Sequence, residues 1–340
     1  MKNKCTISVG FAGMGMIALI LDASSALCGA SEGIDLCIRT VIPSMFPFLV
    51  LSIFLTGQMF SLRLRWLRPL GRLLHLPENA EVIFLVGLLG GYPMGAQCIR
   101  QAYDTGGLSR PDAQRMLCFC SNAGPAFLFG IGARLLGNVR LCWMVWAVHI
   151  LSAILIGMFV PAGKSRPVTT QEGPNLSLTD AVRRAAGVMA VICSWIVLFR
   201  ILLSFLEKWI YPLIPGPVSI ALSGLLELTN GCAALMQLQS PEYRIVLFSA
   251  ILGFGGLCVG LQTGAVLAGS GLQMGPYFLG KAAQGVLSGL LCMLILQWLP
   301  CGKISIAVLW MSVIITIVCC LSIFYRNKKW DSIPQENDVY

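Results

Sequence analysis

Runs of about 20 apolar residues recur near positions 6–27, 40–60, 113–133, 139–161, 186–207, 244–268, 275–299 and 304–325. Each is long enough to carry a helix across the roughly 30 Å hydrocarbon layer of a bilayer. Two further runs, near 81–100 and 217–236, are apolar but interrupted. The first contains Gly87-Leu88-Leu89-Gly90-Gly91-Tyr92-Pro93-Met94-Gly95 and the second Gly224-Leu225-Leu226-Glu227-Leu228-Thr229-Asn230-Gly231, starting 137 residues later. Past a short polar loop, each is followed by another broken run. These breaks are Ser121-Asn122-Ala123-Gly124-Pro125 in the first half, and Gly253-Phe254-Gly255-Gly256 leading to Gly260-Leu261-Gln262-Thr263-Gly264 in the second. The pattern predicts an all-α polytopic membrane protein built as a repeat, with about eight transmembrane helices plus two re-entrant hairpins.

Charge sets the topology. Arg63, Arg65, Arg68 and Arg72 form one basic cluster; Lys164, Arg166, Arg183 and Arg184 form a second; Arg326, Lys328 and Lys329 form a third. If both interrupted runs are hairpins, all three clusters and the Lys2/Lys4 end share one face, which the positive-inside bias makes cytoplasmic. Arg134 and Arg140 then fall outside. Two units follow, 31–161 and 179–300, each with a span, a hairpin and two more spans. Three crossings per unit make the second an inverted copy of the first. Outside them lie an N-terminal transmembrane helix at 1–30, a cytoplasmic linker at 162–178, a C-terminal transmembrane helix at 301–325 and a cytoplasmic tail at 326–340. Ser177-Leu178-Thr179-Asp180 reads as a helix start. The first apolar stretch, Ile7 to Leu27, reads as an uncleaved span, although Leu27-Cys28-Gly29-Ala30 imitates a lipoprotein cleavage box.

Composition narrows the class. Hydrophobic residues are 56% of the 340 and charged residues 11%, against roughly 25% charged in a soluble domain. The net charge of +9 sits in short runs between apolar spans, so nucleic acid is not an expected partner and the lipid bilayer is. The 14 cysteines form no C-x-x-C pair and lie mostly in apolar runs, where cysteine acts as a small hydrophobe. His149 has no second ligand at zinc spacing. The signatures G-x-x-x-x-G-K-[ST], G-x-S-x-G and H-E-x-x-H are absent, so neither enzyme activity nor a cofactor or metal is expected.

A helix that stops inside a bilayer leaves backbone groups to be met by protein or by a watered cavity. Broken apolar helices in matching positions of two halves therefore point to a solute site near the midplane, worked by alternating access. In the first half the candidates are Tyr92, Pro93, Gly95 and Gln97 at the hairpin and Ser121, Asn122, Gly124 and Pro125 at the following break. The competing reading of the glycines is tight helix packing. In the second half Glu227 is the carboxylate in the centre of the interrupted run, followed by Thr229 and Asn230, with Gln262 and Thr263 beyond the next break. An ionisable group at such depth reads as a proton, cation or substrate contact; otherwise it is exposed at the hairpin mouth. Arg200 meets an anionic solute or Glu227, or else pairs with Glu207. Lys281 reads as an interfacial anchor. A rival class is a membrane assembly protein that transports nothing.

The combination Gly91-Tyr92-Pro93-Met94-Gly95-Ala96, Gly106-Gly107-Leu108, Ser121-Asn122-Ala123-Gly124-Pro125-Ala126-Phe127, Glu227-Leu228-Thr229-Asn230-Gly231 and Gly255-Gly256-Leu257-Cys258-Val259-Gly260-Leu261-Gln262 resembles the sporulation integral membrane proteins of the YlbJ type. Those are grouped with the nucleoside-recognition (Gate) family, which is similar to the core of concentrative nucleoside transporters and to the membrane domain of ferrous-iron transporters. The resemblance spans about residues 30–300. It implies a membrane around the forespore of an endospore-forming bacterium and export of a small spore solute, with dipicolinic acid the leading candidate. A nucleoside carrier and an assembly protein are the alternatives it leaves open. Partners it implies are the solute, other sporulation membrane proteins and a second copy of the chain. The first half lacks a carboxylate at its hairpin, which leaves sodium coupling open, and Arg200 suits a carboxylate better than a neutral nucleoside.

Overall fold

The computed structural model describes residues 2–59, 65–161 and 176–298, and no strand occurs among them. Most of the predicted linker, the span at 301–325 and the tail at 326–340 lie outside the described residues. The helices are α1 (Lys2–Leu21), α2 (Ala23–Leu36), α3 (Ile42–Met59), α4 (Arg68–Leu73), α5 (Glu81–Gly90), α6 (Met94–Asp104), α7 (Arg110–Leu117), α8 (Pro125–Phe127), α9 (Ala133–Leu136), α10 (Val139–Phe159), α11 (Leu178–Trp209), α12 (Gly216–Leu226), α13 (Leu228–Leu235), α14 (Pro241–Phe254), α15 (Gly256–Leu267) and α16 (Met274–Trp298).

Among the described residues, 5 stretches are long and apolar enough to cross a membrane: Ala23–Leu51, Val139–Phe159, Leu178–Trp209, Pro241–Leu267 and Met274–Gln297. Four match the runs predicted from 139, 186, 244 and 275. The remaining one departs from expectation. Helix α2 continues through a π-helical turn at Cys37–Val41 into α3, so the span begins well before residue 40. Its polar residues meet partners outside the apolar face: Asp35 pairs with Arg39, and Glu32 with Arg200 of α11. The α2–α11 contact is tight because Gly29 and Gly33 face α11. A Cβ on Gly29 would sit 2.7 Å from Ser204 Oγ, and one on Gly33 3.0 Å from Val197 Cα. Small residues four apart let two helix backbones approach, the main source of packing energy where lipid competes equally for apolar side chains.

The order of elements repeats. After α3 come the short pair α5/α6, the broken run α7–α9 and the long α10; after α11 come the short pair α12/α13, the broken run α14/α15 and the long α16. Both short pairs fold back on themselves. Gly87 of α5 lies against Gly95 of α6, and Gly224 of α12 against Gly231 of α13, where a Cβ would be 2.2 Å from the opposing Cα. The first turn uses Gly91 at φ +72, a left-handed conformation open to glycine and strained for other residues. The second break uses Gly255 and Gly256 in succession at φ +86 and +81. Ser177 accepts from the Asp180 N–H at the start of α11, as the Ser-Leu-Thr-Asp run predicts.

The long helices pack on the broken runs: α16 runs along α14, and α10 packs on both. Arg115 of α7 closes one end of this core. Its guanidinium donates to Leu74 O (2.6 Å), Gly157 O (2.6 Å) and Val160 O (3.0 Å), satisfying carbonyls left open where α4 and α10 end.

Candidate functional site

The two short pairs and the two breaks converge. Gly91, at the turn of the first pair, touches Gly124 in the first break; a Cβ on either would lie 3.0 Å from the backbone of the other. Gly256, in the second break, lies beside Leu228 N at the turn of the second pair in the same way. Tyr92 joins the halves. Its hydroxyl donates to Leu252 O of α14 (3.2 Å), and its ring lies against Gly255.

Between them is a cavity of about 50 Å³, room for one or a few waters. Its wall includes Gly91, Tyr92, Gly124, Glu227, Thr229 and Gln262, with Phe127, Leu228, Val259 and Ile192 supplying apolar surface. Of the residues predicted from sequence, Tyr92, Gly124, Glu227, Thr229 and Gln262 therefore meet at one cavity.

Glu227 is 2% exposed and stands at the N-cap of α13. Its carboxylate accepts from Thr229 N (2.9 Å), Asn230 N (2.6 Å) and Asn230 Nδ2 (2.8 Å). A carboxylate at a helix N-terminus pairs with free N–H groups and with the positive end of the helix dipole. That is how the chain keeps an acid inside an apolar bundle. Asn230 thus acts through Glu227. Gln262 is buried and donates to Cys258 Sγ (3.4 Å), and Thr263 is buried one residue further on.

The other candidates sit elsewhere. Gly95 packs on the first break, where a Cβ would be 2.1 Å from Cys120 O. Pro93 caps α6 and Pro125 begins α8; Gln97 lies further along α6. Arg200 pairs with Glu32 and with Glu207 (2.7 Å) and does not line the cavity.

Ser121 and Asn122 belong to a second buried polar group behind Tyr92. Asn122 Nδ2 donates to Phe119 O (2.7 Å), and its Oδ1 accepts from Gln284 Nε2 (2.9 Å). His149 Nε2 accepts from Ala123 N (3.2 Å). Lys281 Nζ donates to Ser121 O (2.9 Å) and to Gln284 Oε1 (2.6 Å). Lys281 is thus no interfacial anchor: it is 0% exposed. Pro276, one turn earlier, suggests a helix end at the bilayer surface, whereas Lys281, Gln284 and Ser288 form a polar stripe at helical spacing along the buried face of α16. That stripe is the signal by which sequence could have found the group.

Apolar spans surrounding two folded-back helix pairs, with a small, mostly apolar cavity that takes in Glu227, define a polytopic helical membrane protein. In sequence the chain is similar to the Sporulation integral membrane protein YlbJ of Bacillus subtilis (strain 168), with 24% identity over 334 residues, covering 84% of this chain and 81% of that one. No family model matches the chain, and no solved structure does.

Proposed function

We propose that the protein is a membrane transporter that moves a small solute during sporulation by alternating access, and that it is not an enzyme. The observation that carries this is the cavity where the turns of both short pairs meet, lined by the carboxylate of Glu227. In this reading the short pairs are re-entrant hairpins of an inverted repeat. The cavity is the solute site in a contracted state. At about 50 Å³ it is too small for an aromatic dicarboxylate, so the hairpins separate to admit one, as transport by rocking of one repeat against the other requires.

Dipicolinic acid, or a similar small anion, is the substrate we favour, from the family resemblance of the sequence motifs; the name of the similar protein gives sporulation and no substrate. The cavity chemistry adds a condition. An anion entering beside the Glu227 carboxylate meets like-charge repulsion in a poorly screened setting. Uptake of a proton by Glu227 removes it, so anion and proton move together. Thr229, Gln262 and the Tyr92 region then offer neutral polar contacts. Arg200, engaged by two glutamates, contributes to helix pairing and not to the solute.

The test is uptake of labelled dipicolinate into proteoliposomes, with labelled nucleosides as the comparison. Saturable dipicolinate uptake supports the carrier; nucleoside uptake alone replaces the substrate. No uptake of either by well-folded protein favours an assembly role.

A further inference from the structure

Lys281 is a fully buried lysine that makes no ion pair among the described residues. Its Nζ is enclosed by Ser121 O (2.9 Å), Gln284 Oε1 (2.6 Å) and the face of the Tyr92 ring, whose centroid is 5.0 Å away. These partners are held in place by bonds of their own. Gln284 Nε2 donates to Asn122 Oδ1 (2.9 Å) and His149 O (3.3 Å), which turns its Oε1 toward Lys281. Asn122 is fixed in turn by Phe119 O (2.7 Å). The Tyr92 ring is tethered through its hydroxyl to Leu252 O (3.2 Å). Ser121 O is a carbonyl released by the interruption between α7 and α8. Such a group costs several kcal/mol if left unpaired in an apolar interior.

Neutral oxygens and an aromatic face, with no carboxylate, match a single positive charge stripped of water. Backbone and amide oxygens replace a hydration shell, and the ring face adds cation–π attraction. A divalent ion would call for carboxylates. We propose that the break in the first half is a monovalent-cation site that the chain fills with its own Lys281 ammonium. A tethered cation then does permanently what a free one would do transiently. It holds the unwound segment, α16 and the first hairpin turn together without any dissolved ion. Where the proposed transport holds, a corollary is that solute movement draws nothing from a sodium gradient through this site.

The test is thermal unfolding of the purified full-length protein in chlorides of ammonium, potassium, sodium and choline at equal ionic strength. It does not depend on transport, so its failure and the failure of the transporter reading are separable. The wild-type protein should melt at one temperature in all four salts. Lys281→Ala, which empties the cage, should melt lower in choline and regain roughly 3 °C or more, saturably, with ammonium or an alkali cation, as binding to the folded state alone requires. Adding Gln284→Leu should abolish that recovery. If Lys281→Ala does not survive purification in choline, its yield in ammonium against choline reads the same contrast. Equal behaviour of Lys281→Ala in every salt, or saturable stabilisation of the wild-type protein by sodium, overturns the proposal.

Discussion

Gly87 offers a sharp test of how the first short helix pair is built. Replacing it with alanine places a Cβ 1.8 Å from Cys120 O and 3.3 Å from Gly95 Cα. The first distance is about 1.6 Å short of the 3.4 Å at which ordinary contact begins. The obstacle is backbone, so no rotamer change relieves it; the segment at Cys120 or helix α5 must move. Overpacking of this kind costs about 1–3 kcal/mol, and a backbone obstacle puts it at the top of that range. Alanine recovers up to ~1 kcal/mol of helix propensity, leaving a net loss of about 2 kcal/mol. Gly187, inside α11, is the control, because a Cβ there meets nothing within 4 Å. Gly187→Ala should gain up to ~1 kcal/mol. The two variants should then differ by about 3 kcal/mol, or roughly 4 °C in melting temperature at about 1.4 °C per kcal/mol for a chain of 340 residues. Thermal unfolding of the purified proteins in one detergent measures this. If Gly87→Ala melts within about 1 °C of Gly187→Ala, the carbonyl of Cys120 does not lie between α5 and α6.

Three other outcomes are expected. Asn230→Ala removes one of the three bonds to the Glu227 carboxylate and should cost about 1.5–3 kcal/mol, the range for hydrogen bonds to charged groups, measured as a fall in melting temperature with the other two N–H donors retained. Arg115→Met strips donors from the ends of α4 and α10 and leaves buried carbonyls unpaired, so a loss of about 3 kcal/mol or more should appear as poor yield or a much lower melting point. Gly29→Leu should force α2 off α11, because its Cβ already lies 3.0 Å from Arg200 O; loss of a cysteine crosslink between Ser25→Cys and Ser204→Cys, residues joined by a hydrogen bond, reads that separation directly.

Much of the framework is legible in the order of residues, because span length and backbone chemistry are local properties. Gly91, Gly124-Pro125 and Gly255-Gly256 interrupt helices because these residues tolerate positive φ or cannot continue the hydrogen-bond ladder. Glu227 and Asn122 stand out as polar groups inside apolar runs, and both are buried. What lies beyond such reading is the pairing. Glu32, Asp35 and Arg39 lower the hydropathy of 23–41, so the start of that span is hidden until α11 supplies Arg200 as a partner. Lys281 misleads for a related reason. A lysine near the start of a span snorkels unless the fold brings it an acceptor, and Ser121 O lies 160 residues away in sequence. Glycines 87 and 95 are conspicuous by type, yet only the position of Cys120 O shows that they serve packing.

The claim that the cavity between the hairpin turns is the solute site is tested most directly by dipicolinate uptake into proteoliposomes carrying equal amounts of folded wild-type protein or Glu227→Gln. Glutamine keeps the size of the side chain and one acceptor for the α13 N-terminus while removing the charge and the exchangeable proton. Saturable wild-type uptake that falls at least about tenfold in Glu227→Gln, a difference of about 1.4 kcal/mol or more at the transition state, is the expected result. Uptake by Glu227→Gln equal to that of the wild-type protein would contradict it and move the solute path away from this cavity.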